Sequence, residues 1–147
     1  MNAPSEIPKL LRDAHRRAID QANCWRGRCV NYFARGELVI GEALATSSAK
    51  PLPMLLSQRI ARLIDLVNDR PKELAALDQF QSLASDRNSI VHGAGKVFVD
   101  SEGKWLLILE LLDRSGRYRH QVMQDEAELR ARLLKSSVDR LAAAFHV

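Results

Sequence analysis

The sequence predicts a mainly α protein: an antiparallel bundle of four to five helices with a three-stranded antiparallel β-meander inserted before the last helix. Three observations carry this. Apolar residues recur at helical spacing over most of the first ninety positions. Three short runs of strand character, split by turn residues, follow between 96 and 123. A last apolar-periodic stretch then closes the chain. At 147 residues the chain is one domain's worth of sequence, and a single domain over 1–147 is expected.

Leu10, Leu11, Ala14, Ala18, Ala22, Trp25, Cys29, Gly36, Ile40 and Ala43 keep a helical period over nearly forty residues, with Pro8 suited to a first turn. The first helix is therefore expected over about 7–46, either as one helix or as two with a kink near Asn23, after a loose end over 1–6. Gly36 and Gly41 weaken that helix by about 1 kcal/mol each. They read as places where another backbone passes close, at a contact between subunits. A linker over 46–53 leads to a second helix, about 54–68, with Leu55, Leu56, Ile60, Leu63, Ile64 and Val67 on its apolar face. The residue before a proline disfavours helix, so Arg70-Pro71 ends it, with Asp69 as cap for the next helix, about 71–92.

Strand character begins at Lys96 and runs to Met123, with turns at 101–103 and 113–116. The central run, 105–112, is interrupted only by Glu110, so it must pack on something, either the bundle or a partner chain. Asp125 and Glu128 form a capping pair for a last helix over about 126–146, whose buried face is expected to be Leu129, Leu133, Leu134, Val138, Leu141 and Phe145. Trp25, Tyr32 and Phe33 sit at helical spacing and read as core rather than as base-stacking residues.

The net charge of +4 is unevenly placed. Residues 1–36 carry seven Lys/Arg against three Asp/Glu, residues 37–95 six against seven, and residues 96–147 nine against eight. A basic N-terminal region is compatible with nucleic acid, and equally with a solvated basic face. No run approaches the ~18 apolar residues of a membrane helix, the first six residues lack a signal-peptide pattern, and no metal-ligand spacing occurs. Cys24 and Cys29, five apart, are expected as reduced thiols of a cytoplasmic protein. Neither cofactor nor membrane partner is expected.

Arg87, Asn88 and His92 are the one tight cluster of catalytic-type residues, with Gly93 expected to end their helix in the left-handed conformation. Leu77, Phe80, Ala84, Arg87 and Val91 form one stripe, so Arg87 falls where an apolar residue is expected. On an ideal helix Arg87 and His92 lie about 140° apart. His15, His120 and His146 have no partner at a recognisable spacing and read as exposed or structural. Arg114, Arg117 and Arg119 are expected near solvent, where they would extend a phosphate path if they lay beside His92.

Arg87-Asn88-x3-His92 resembles the R-x4-6-H motif of the HEPN superfamily, small helical domains in which the residue after the arginine is typically polar. That resemblance implies a HEPN-like bundle and a metal-independent endoribonuclease, a toxin or defence element, with two motif copies meeting in a homodimer cleft. It implies His92 as general acid/base, Arg87 as phosphate clamp, Asn88 as orienting hydrogen-bonder, RNA as substrate and an antitoxin protein as partner. Histidine titrates near neutrality and arginine offers a bidentate fork, which suits a reaction whose nucleophile is the RNA 2′-hydroxyl. Glu37 or Glu42 could orient His92. Two other readings stay open. One is a non-catalytic dimeric interaction or nucleotide-sensing module. The other is a structural role in which Arg87 pairs with Asp86 or Glu42 and His92 caps a helix end.

Overall fold

The computed structural model describes residues 6–147. The expected loose end over 1–5 lies outside the described residues, and Glu6 already belongs to a helix. The chain is mainly helical, with a three-stranded antiparallel sheet before the last helix. It divides into two compact units, one of Met1–Arg28 with Asn88–Ala131 and one of Cys29–Arg87 with Arg132–Val147.

Helix α1 runs unbroken from Glu6 to Ser47, so of the two expected forms it is the single helix. Its part up to Arg28 belongs to the first unit, together with the end of α4 (Arg87–His92), strands β1 (Ala94–Val99), β2 (Trp105–Asp113) and β3 (Gly116–Met123), and the start of α5 (Gln124–Phe145). The strands form a meander in the order β1-β2-β3. Leu107 pairs with Val97 on one side and Val122 on the other, and Leu109 with Gly95 and His120. Side chains alternate between sheet faces. Trp105, Leu107, Leu109 and Val122 are buried with Ala18, Ala22, Trp25, Ile90 and Ala127. Trp25 is fully buried, lies 6.1 Å from the Trp105 ring at 48°, and donates its indole N–H to the Ala127 carbonyl at 2.7 Å. Truncating such a residue to alanine typically costs about 3–5 kcal/mol. On the other face Phe98, Met123 and Leu112 remain exposed while Ile108 is buried, so that side of β2 is only partly covered.

Both turns of the meander use glycine where the backbone requires it, Gly103 at φ 80° and Gly116 at φ 121°. Asp100 and Asp113 close them by accepting backbone N–H groups from Glu102, Lys104 and Ser115. Hydrogen bonds from Ser115 to the carboxylate hold Asp113 below its ordinary pKa.

The second unit combines the rest of α1 with α2 (Leu56–Leu66), α3 (Pro71–Leu83), Arg87 and the end of α5. Phe33, Ile40, Leu44, Leu63, Leu77, Phe80, Leu134 and Leu141 are its largest fully buried side chains. Gly36 packs within the chain rather than at a subunit contact: a Cβ there would stand 2.4 Å from Phe80 Cε2. Gly41 is different, with only Arg59 Nη1 at 3.7 Å, an ordinary contact. Leu55 precedes α2 as its N-cap residue and is exposed, not part of the buried face. The N-cap of α3 is Arg70 with Pro71 at the first position, so Asp69 does not cap it.

Two further expectations are corrected. The helix expected over 71–92 is broken by a 3-10 turn, Ala84–Asp86. Ser85 and Asp86 have side chains that compete for backbone hydrogen bonds, which disfavours helix interior. Helix α5 begins at Gln124, so Asp125 lies in its first turn and bonds Lys104 instead of capping. Its buried face is Ala127, Ala131, Leu134, Val138 and Leu141, while Leu129 and Leu133 are about half exposed.

Candidate active site around the short helix

Helix α4 is only six residues long, Arg87–His92. The 3-10 turn before it advances the chain by about 120° per residue instead of about 100°, which shifts the phase of everything after it. The buried face of α4 is consequently Ser89 and Ile90, not the expected stripe through Val91. Asn88 and His92 are exposed. Four apart on one helix, they are face neighbours with about 5–6 Å between Cβ atoms.

In the first unit the end of α4 is held from α1. The Arg26 guanidinium donates through Nε to the Ile90 carbonyl at 2.5 Å, and through Nη2 to the Gly93 carbonyl at 2.5 Å and the Val91 carbonyl at 3.4 Å. These are carbonyls that a helix C-terminus otherwise leaves without partners, and a cation there opposes the negative end of the helix dipole. Burial lowers the Arg26 pKa, yet arginine stays charged at neutral pH. Its acceptors sit on both sides of His92, so the backbone that carries the imidazole is fixed. Gly93 is needed for another reason than the expected one. Positive φ among the described glycines occurs at Gly103 and Gly116, not at Gly93. A Cβ at Gly93 would instead stand 2.4 Å from the Ser89 carbonyl oxygen and 3.1 Å from Leu109 Cβ.

His120 has a partner that sequence spacing did not reveal. Its Nδ1 lies 3.1 Å from the Oγ of Ser89, a buried residue three positions before His92. Burial pushes the His120 pKa down, with the Glu126 carboxylate opposing. Alternation along β3 gave one usable signal: His120 shares a face with buried Val122. His15 also has a partner, the Val97 carbonyl at 3.1 Å from Nε2. Arg114, Arg117 and Arg119 are exposed as expected. Ala94, two residues after His92, pairs with Glu110, which pairs with Arg119. Two strand spacings, about 10 Å, therefore separate the start of β1 from Arg119.

In the second unit Arg87 Nε donates to Glu37 Oε1, with side chains 28% and 26% exposed. Glu37 thus serves Arg87; of the two acids expected to pair with Arg87, Asp86 or Glu42, the second is exposed. A cavity of about 200 Å3 opens beside this pair, lined by Glu37, Met54, Leu55, Leu56, Arg59 and Arg87. Arg59 Nε donates to the Pro53 carbonyl at 2.6 Å. Trp25 and Phe33 are core residues, as their spacing implied.

The chemistry available is acid/base work by an exposed imidazole on a fixed backbone, and anion binding by arginine. Among the described residues there is no group of three or more His, Cys, Asp or Glu that could hold a metal ion. No described helix is long and apolar enough to cross a membrane. Comparison with protein-family models, with curated proteins and with solved structures finds no match to this chain.

Proposed function

We propose that the chain is a metal-independent endoribonuclease of HEPN type, acting as a homodimer and serving as a toxin or defence element. The observation that carries the reading is the exposed His92, with Asn88 on the same helix face, at the end of a short helix whose carbonyls are clamped by Arg26. Pre-organisation of this kind favours a residue that must meet a reacting atom in one geometry.

In the proposed reaction the 2′-oxygen of RNA bonds to the adjacent phosphorus as its proton passes to a base. The bond to the 5′-oxygen breaks, and that oxygen takes a proton. The products are a 2′,3′-cyclic phosphate and a free 5′-hydroxyl. His92 supplies the proton transfers, Arg87 the positive charge at the phosphorane-like transition state, and Asn88 an orienting hydrogen bond. An antitoxin protein is the expected partner.

One observation favours a second reading. Arg87 is engaged by Glu37, which suits a non-catalytic dimeric interaction or nucleotide-sensing module. The two readings separate in an RNA cleavage assay run in EDTA with wild type, His92→Ala and Arg87→Ala, all checked for matching melts. The nuclease reading expects cyclic phosphate ends from wild type only. Equal cleavage by wild type and His92→Ala removes His92 from the reaction, and no cleavage by wild type across varied RNAs favours the second reading.

A further inference from the structure

The cavity beside Arg87 has a charge balance that the Arg87–Glu37 pair does not explain. Two guanidiniums and one carboxylate line it, and the rest of its wall is Met54, Leu55 and Leu56. Glu37 is matched by Arg87. Arg59 is part-buried, and among the described residues its side chain forms no ion pair; its one hydrogen bond is from Nε to the neutral Pro53 carbonyl. That bond engages the guanidinium through Nε alone, and Arg59 itself lines the cavity. A part-buried guanidinium with no carboxylate of its own has N–H groups to offer an anion.

We propose that this cavity binds a phosphate oxyanion, with Arg59 as its principal ligand and Arg87 as the second cation. The volume supports one phosphate group rather than a whole nucleotide, since pockets that enclose small organic ligands start at about 300 Å3. The remainder of a nucleotide or RNA strand would lie outside, against the exposed Met54 and Leu55 at the rim. Guanidinium is the side chain best matched to phosphate, through paired N–H groups. The inference rests on the nuclease reading only for its catalytic consequence: there, Arg59 holds the phosphate that Arg87 is proposed to clamp. Phosphate binding itself is independent of cleavage.

The test is a titration with inorganic phosphate and, separately, with a dinucleoside monophosphate, followed through arginine Nε–H signals by NMR. Wild type is expected to bind inorganic phosphate with Kd of about 1 mM or tighter. Arg59→Gln should weaken this by about tenfold, the loss of one charge-assisted contact. Met54→Glu puts a carboxylate at a residue 91% exposed, so it should weaken binding similarly with an unchanged melt. Arg62→Gln removes the same charge three residues on, in a different cavity with Asp65, and should bind as wild type does. Binding of both ligands marks a backbone diester site; binding of inorganic phosphate alone marks a terminal-phosphate site. No saturation by wild type at about 10 mM of either ligand, or equal loss in Arg59→Gln and Arg62→Gln, overturns the proposal. Binding without cleavage leaves this inference standing and removes the nuclease reading. Cleavage and binding both unaltered in Arg59→Gln do the reverse.

Discussion

The Arg87–Glu37 pair can be weighed by a double-mutant cycle. Exposed ion pairs contribute about 0.2–1 kcal/mol, whereas removing one partner of a fully buried pair costs about 3–5 kcal/mol. Both side chains here are roughly a quarter exposed, which places Arg87→Ala between those limits, at about 2 kcal/mol, with a coupling of about 1 kcal/mol. For a chain of this length that loss corresponds to a melting-temperature drop of about 6–8 °C. The assay is urea unfolding of wild type, Arg87→Ala, Glu37→Ala and the double variant, repeated at high salt. Glu37→Ala adds a second readout. It removes the carboxylate that competes with phosphate for Arg87, so stability should fall while phosphate binding tightens. A coupling within about 0.3 kcal/mol of zero refutes the pairing on which this rests. A coupling with no gain in phosphate binding makes the pair a purely structural one.

Three other outcomes follow from particular contacts. Gly36→Ala gains about 1 kcal/mol of helix propensity but drives its Cβ into the buried Phe80 ring, an overpacking cost of about 1–3 kcal/mol. It should destabilise wild type by up to about 2 kcal/mol and become stabilising in a Phe80→Leu background, read from urea midpoints; stabilisation in wild type would contradict the packing. Ser137 Oγ is buried with no hydrogen-bond partner among the described residues, so Ser137→Ala should raise stability by about 1 kcal/mol; a comparable loss would show that the hydroxyl is satisfied. His120 binds its proton less readily folded than unfolded, because burial lowers its pKa from 6.5. Below that value the unfolded chain takes up more protons, so this contribution is full above it and is lost as pH falls towards the folded pKa. Between about pH 7 and about pH 5 wild type should lose stability more steeply than His120→Gln, and parallel slopes would remove His120 as the cause.

The sheet was legible because its signals are local. Glu110 alone interrupts β2, and Asp113 and Gly116 supply turn chemistry at the positions where the turn falls. The long helix was legible because three glycines do not outweigh a sustained apolar stripe. The break at Ala84–Asp86 was not, since Ser85 and Asp86 only weaken a helix and an α and a 3-10 turn differ by one step in hydrogen-bond register. The face of α5 was legible at Leu134, Val138 and Leu141 but not at its start, because leucine outweighs alanine on any hydropathy reading, whereas there the buried positions are Ala127 and Ala131, whose small size suits close packing, and Leu129 and Leu133 are exposed. Within the site, the motif residues were visible as a string. Arg26 left no trace, because its acceptors are backbone carbonyls that every residue carries. His120 meets Ser89 across thirty-one positions, a separation at which sequence spacing says nothing.

The Arg26 contact has a consequence for how the motif can be moved or copied. An isolated helix of six residues is far below the length that sustains itself in water. Helix α4 therefore owes its shape to the guanidinium, the Ser89 and Ile90 side chains and the strand that follows. A peptide spanning Arg87 to His92 would carry the letters of the motif without its conformation. The smallest transplantable unit is the motif together with the turn of α1 that presents Arg26, two stretches sixty residues apart in the chain that only a folded protein brings into register.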